Sequence, residues 1–225
     1  MKIAAFKIAL LALTIAVGIL VAKYSLANLN YLKVETYLTR WEHSNQLSRE
    51  ELNSALLASE TMLNLHGHHP HYLNMAAKVY EWQAFKYFDN LSVSHSSLKK
   101  ALQLYKKSTK LRPHWPLTWA YMANIKSQLG ILDDDFYLYI DKAIVHGPYM
   151  QEVNLELSKL FLKHWGSSQN ISAQIGVEQI KRALYFDAGR NELIKYARVI
   201  GKDQIVCIVD NLNREKDVAF QPLCK

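Results

Sequence analysis

Four imidazoles crowd one short segment: His66, His68, His69 and His71 in LHGHHPH. Side chains so close offer nitrogen ligands of the kind that hold Zn²⁺, Cu²⁺ or Ni²⁺. A metal centre usually recruits a ligand from a second element, and neither H-E-x-x-H nor H-x3-H spacing occurs here. The four are weak metal candidates; a His-rich turn that gains charge below neutral pH explains them as well. Asp133-Asp134-Asp135 lacks the spaced ligands of a calcium loop. Carboxylates in that position suit a helix N-terminus, where N–H groups lack partners. Cys207 and Cys224 are the only cysteines. In an oxidising compartment they could close a loop worth about 3 kcal/mol. The alternative is two separate thiols, one inside the apolar run IVCIV. No G-x-S-x-G, phosphate loop or dinucleotide fingerprint is present. The expectation is a non-enzyme that needs no cofactor.

Aromatic residues are the other candidate chemistry. The chain has five Trp and thirteen Tyr. Trp115, Trp119 and Tyr121 gather around Pro116, and Trp82, Phe85, Tyr87 and Phe88 lie on the preceding segment. Exposed rings would stack on sugars. Rings at helical spacing more often fill the space between helices.

The elements that must position these residues begin with a leader. Ile8–Ala22 is uncharged, and with Lys7 snorkelling the apolar run extends over Ile3–Ala22. As a helix it is about 30 Å long, the thickness of a bilayer's hydrocarbon core. Lys2 and Lys7 precede it, which favours a cytoplasmic N-terminus and a body outside the cytoplasm. A cleaved signal peptide competes with an uncleaved anchor, since Ser25-Leu26-Ala27 would serve as a cleavage site. Lys23 and the helical pattern of LANLNYLKVETYLTRW favour the anchor, the segment from Leu26 onward reading as a helix that continues from the membrane. The net charge is +7, of which Lys2, Lys7 and Lys23 supply three. The remaining basic residues are scattered among acids, so nucleic acid is not an expected partner.

Beyond the leader, apolar residues recur every three or four positions, and Pro and Gly are scarce. This predicts an all-α chain. Ser48 and Glu51 form a capping box that opens a helix to about Leu65. Further helices are expected over 72–87, 98–111, 116–129, 133–146, 152–164, 173–185, 190–200 and 203–212, with a polar break at Asp89–Ser97. The layout is a leader (1–27), a connecting helix (28–47), helical repeats (48–201) and a C-terminal helix and tail (202–225).

Those repeats carry a register. With Pro116 as position one, Trp119 is four, Met122 seven, Ala123 eight and Gly130 fifteen. The preceding helix has Ala101, Tyr105, Ser108 and Pro113. Phe136, Ile140, Ala143 and Pro148 repeat that second-helix spacing, and Gly176, Ile180, Ala183 and Ala188 repeat it again. Tyr72, Met75 and Ala76 align with Trp119, Met122 and Ala123; Asn154 stands where the third repeat should have an aromatic. The pattern resembles the tetratricopeptide repeat (TPR). Small residues there let paired helices approach, and stacking of neighbours supplies the core. The resemblance implies an α-solenoid with a groove along its first helices. Its positions carry over to Leu117, Ala120, Asn124, Ser127 and Gln128, and to Lys159, Leu162 and Lys163. Asn124, Gln128, Lys159 and Lys163 are the expected partner-binding residues. Ala120 sits where a carboxylate clamp has lysine, which disfavours capture of a free C-terminus.

The overall layout also resembles the VpsP-type accessory proteins of bacterial exopolysaccharide biosynthesis. It implies a single-pass inner-membrane adaptor with its body in the periplasm, bound to a protein partner in a polysaccharide assembly system. Direct binding of polysaccharide or peptidoglycan through exposed aromatics is the alternative.

Overall fold

The computed structural model describes residues 2–44, 46–166 and 172–213. Ten α-helices and no strand occur among them. They fall into two compact units, Met1–Arg112 and Pro113–Lys225.

The first unit is built on α1 (Lys2–Ser44), one unbroken helix. Its N-terminal part exposes every apolar side chain from Ile3 to Val21, and by length and composition it can cross a membrane. Its C-terminal part buries Ala27, Val34, Leu38 and Trp41, a stripe at helical spacing. The expected connecting helix and leader are thus two stretches of the same helix. Against that stripe pack α2 (Arg49–His66) and α3 (Pro70–Lys86). Ser48 caps α2 through the Glu51 N–H at 3.0 Å. The Glu51 carboxylate also accepts from Trp41 Nε1 (3.1 Å) and Arg40 (2.6 Å), which ties the cap to α1. Those donors hold its pKa below the usual carboxylate range. The helix α3 runs alongside α1 in the same direction: Tyr31 stacks on Tyr72, and Trp41 meets Trp82 edge-on.

Helix α4 (Leu91–Leu111) begins well before the sequence predicts. The Asn90 side chain caps it, and Ser97, which reads as loop, is buried and donates to Val93 O and Gln83 Oε1. Serines that find partners on their own helix and its neighbour no longer break it. The expected polar break at Asp89–Ser97 is thus largely the first turns of α4.

The second unit contains α5 (Pro116–Gln128), α6 (Asp134–His146), α7 (Gln151–His164), α8 (Ala173–Leu184), α9 (Asp187–Val199) and α10 (Asp203–Asn213). Successive helices pair as hairpins, α5 lies beside α7, and α7 beside α9. This is the packing of an α-solenoid. The small residues at equivalent positions are all buried: Ala76, Ala123 and Ser158 in first helices, Ser108, Ala143 and Ala183 in second helices. Gly176 shows the closeness this permits, since a Cβ there would lie 3.1 Å from the Phe161 ring.

Candidate functional site

The four residues expected to bind a partner lie on the first helices of the second unit, and the structure gives three of them internal partners. Asn124 on α5 donates to Glu156 on α7 at 3.4 Å. Lys159 on α7 donates to Glu156 (3.2 Å) and to Glu192 on α9 (2.6 Å). Burial opposes the Lys159 charge, but the two carboxylates outweigh it and its pKa is raised. Lys163 reaches the Ser127 carbonyl at 3.5 Å, and burial lowers its pKa. Gln128 is exposed. A polar ladder therefore crosses α5, α7 and α9. The Asn124–Glu156 and Lys159–Glu192 contacts are the ones that local sequence does not reveal, because each spans more than thirty positions; Glu156 and Lys159 are an i, i+3 pair on one helix.

Ser127 and His164 meet at 2.7 Å across α5 and α7. This pair has the chemistry of a nucleophile and its base. Ser127 is buried, so the contact serves to join two helices. Asp133 does what its position predicts, accepting from the Phe136 N–H at the start of α6. It also forms an ion pair with Lys126, a lysine buried on α5. The Lys126 hydrogen bond is the main cause of the lowered Asp133 pKa.

The His-rich segment is the turn between α2 and α3, packed against α1. His66 lies against Tyr24 with ring centres 4.6 Å apart, and His69 against Tyr72 at 4.2 Å. His71 Nε2 is 3.2 Å from the Tyr31 hydroxyl, which donates to Glu35. Burial lowers the pKa of both His69 and His71. These rings pack tilted or edge-on against neighbouring rings. No group of three or more metal-capable side chains forms among the described residues. Cys207 is partly buried on α10 and disulfide-bonded; the expected pairing with Cys224 lies outside the described residues.

Of the aromatics singled out in the sequence, Trp82, Tyr87, Trp119 and Tyr121 are partly buried, while Phe85, Phe88 and Trp115 are exposed. Trp119 lies 5.7 Å from Tyr139 and donates to the Pro113 carbonyl, and Trp82 sits between Trp41 and Phe85. Two more open rings went unnoticed: Tyr149 and Tyr185, each 80% exposed. With Phe186 they wall a cleft of about 500 Å³ whose lining includes Asn154, Glu178, Lys181 and Arg182. The Arg182 guanidinium lies 4.9 Å from the Tyr149 ring centre, donates to the Pro148 carbonyl at 2.6 Å and to Glu178 at 3.0 Å. The departure from pattern at Asn154 is the one signal in the sequence that marks this place.

Comparison with protein-family models and with curated proteins gave no match.

Proposed function

We propose that this chain is a single-pass, membrane-held adaptor of TPR-like hairpins that serves envelope polysaccharide assembly through protein contacts. The observation that carries the reading is α1. One helix begins as a run of exposed apolar side chains and ends as the buried stripe on which the first unit is assembled. Such a helix holds a folded body against the bilayer without an intervening linker.

Retention of the leader follows from the same helix. Ala27 is fully buried with Met62, Tyr72 and Ala76, and Tyr24 touches His66. Cleavage after Ala27 would remove packed residues from the body. A disulfide at Cys207 fits a body in an oxidising compartment. The repeat register supports a binding rather than a catalytic role, and the layout resemblance supports the polysaccharide setting.

A topology reporter tests the placement. Fused after residue 213, an enzyme that requires export should be active, and one that requires the cytosol should be silent. Cross-linking and co-purification of the full chain from membranes should then return a protein of the polysaccharide assembly machinery. Cytosolic activity of the reporter, or recovery of the chain alone, would refute the adaptor.

A further inference from the structure

The hairpins α5/α6 and α7/α8 share a register but not a filling. In the first, Trp119 and Tyr139 occupy equivalent inward positions and their rings meet. In the second, the same positions hold Asn154 and Gln179. Both amides are 2% exposed, and the side-chain oxygen of each lacks a hydrogen-bond partner. A buried, unpaired amide oxygen costs about 1–3 kcal/mol. An aromatic pair would have avoided that cost, so the substitution leaves a space and an unmet demand together.

The space is the cleft beneath Tyr149 and Tyr185, and Asn154 is part of its lining. Gln179 lines an adjoining cleft that shares Glu178 and Arg182. Three features define what the Asn154 cleft would accept. The walls are exposed rings, Tyr149 with Arg182 over one face and Tyr185 at right angles to Phe186, and their open faces suit the C–H faces of a sugar ring or another flat apolar surface. The buried amide needs a hydrogen-bonding group. A hydroxyl satisfies it in either orientation of the amide, because a hydroxyl both donates and accepts; a peptide N–H satisfies only one. The rim is cationic. Arg182 is offset by Glu178, while Lys181 has no ion-pair partner among the described residues, which leaves a net positive charge.

We infer that this cleft is a subsite for an acidic saccharide segment: a sugar ring against Tyr149 and Tyr185, a hydroxyl on Asn154, a carboxylate near Lys181. The site is independent of the polar ladder and of any protein partner. Failure of co-purification would leave it standing, and failure of the titration below would leave the adaptor standing.

The test is calorimetric titration of the full chain in lipid nanodiscs with acidic tetrasaccharides of galacturonate, mannuronate and guluronate. The methyl-esterified galacturonate tetramer and tetraglutamate serve as controls. At least one acidic tetramer should bind saturably, and both controls should bind at least tenfold more weakly. Tyr185→Ala, at an exposed position where folding is not at stake, should weaken binding about tenfold. Lys181→Gln should weaken it severalfold and flatten its salt dependence. Asn154→Leu should abolish it while the chain stays folded. Absence of binding by all three tetramers would overturn the site, as would full affinity in Tyr185→Ala. A control that binds as well as the acidic tetramers would overturn the ligand class.

Discussion

The hairpins α5/α6 and α7/α8 are built on one plan and closed in different ways. The first is filled by Trp119 against Tyr139 and pinned by buried Lys126 on the Asp133 cap of α6. The second places Asn154 and Gln179 where those rings would be, and its α8 cap is the uncharged Ser172, 3.5 Å from the Ile175 N–H. A repeat that needs only to stack can spend every inward position on packing. A repeat that leaves two amides buried and unpaired has forgone stability, and such losses persist where a site needs them.

Making the closed hairpin like the open one should have the largest effect. Trp119→Asn should lower stability by about 3 kcal/mol, read as a fall in the thermal midpoint of the full chain. A change below about 1 kcal/mol would mean that the ring is not structural. Next is Asp133→Asn, which keeps the cap but removes the charge that faces Lys126. Because Asp133 is half exposed and Asp135 lies 3.6 Å from Lys126, the expected loss is about 2 kcal/mol, short of the full cost of orphaning a buried charge. The same pair predicts an acid limit. The Asp133 pKa lies below its ordinary 3.8, so its contribution is complete above that value and is lost as pH falls through the lower folded value. Asp133→Asn should therefore flatten the stability curve below about pH 4.

Making the open hairpin like the closed one should have a smaller effect of opposite sign. Asn154→Leu should raise stability by about 1 kcal/mol, by removing an unmet hydrogen-bonding group. A destabilised variant would show that the amide has a structural partner. The smallest expected effect is a pH dependence near neutrality. Burial, then Lys163, holds the His164 pKa below its ordinary 6.5. His164 faces the Ser127 hydroxyl and the Phe136 ring. The unfolded chain takes up that proton first, so the contribution is full above 6.5 and declines as pH falls towards the folded value. His164→Gln should reduce the drop in thermal midpoint between about pH 7.5 and 5.5, and an unchanged drop would assign it to other histidines.

The hairpins are legible in the sequence because their signals are local. Small residues at fixed offsets, prolines at first turns and the Asp133 cap each act within a few positions. The start of α4 is not legible, because the serines near Ser97 read as loop until Gln83 on α3 supplies a partner. Nor are the partners of Asn124 and Lys159, since Glu156 and Glu192 come from other hairpins. Lys159 and Lys163 remain the expected partner-binding residues, and these internal contacts bear on any test of them. Reversing both charges would set a carboxylate at position 159 against Glu156 and Glu192, so a loss of stability is expected along with any loss of binding. Tyr149 and Tyr185 stand at helix junctions, where no period marks them. Asn154 reads as a worn repeat until the side chains around it are seen.

The first unit is assembled on α1, and the proposed anchored adaptor requires that the whole of this helix be retained. The intact mass of the chain recovered from membranes tests this most directly. The predicted mass is that of the whole chain, 25.9 kDa. A soluble species beginning at Asn28 would contradict it.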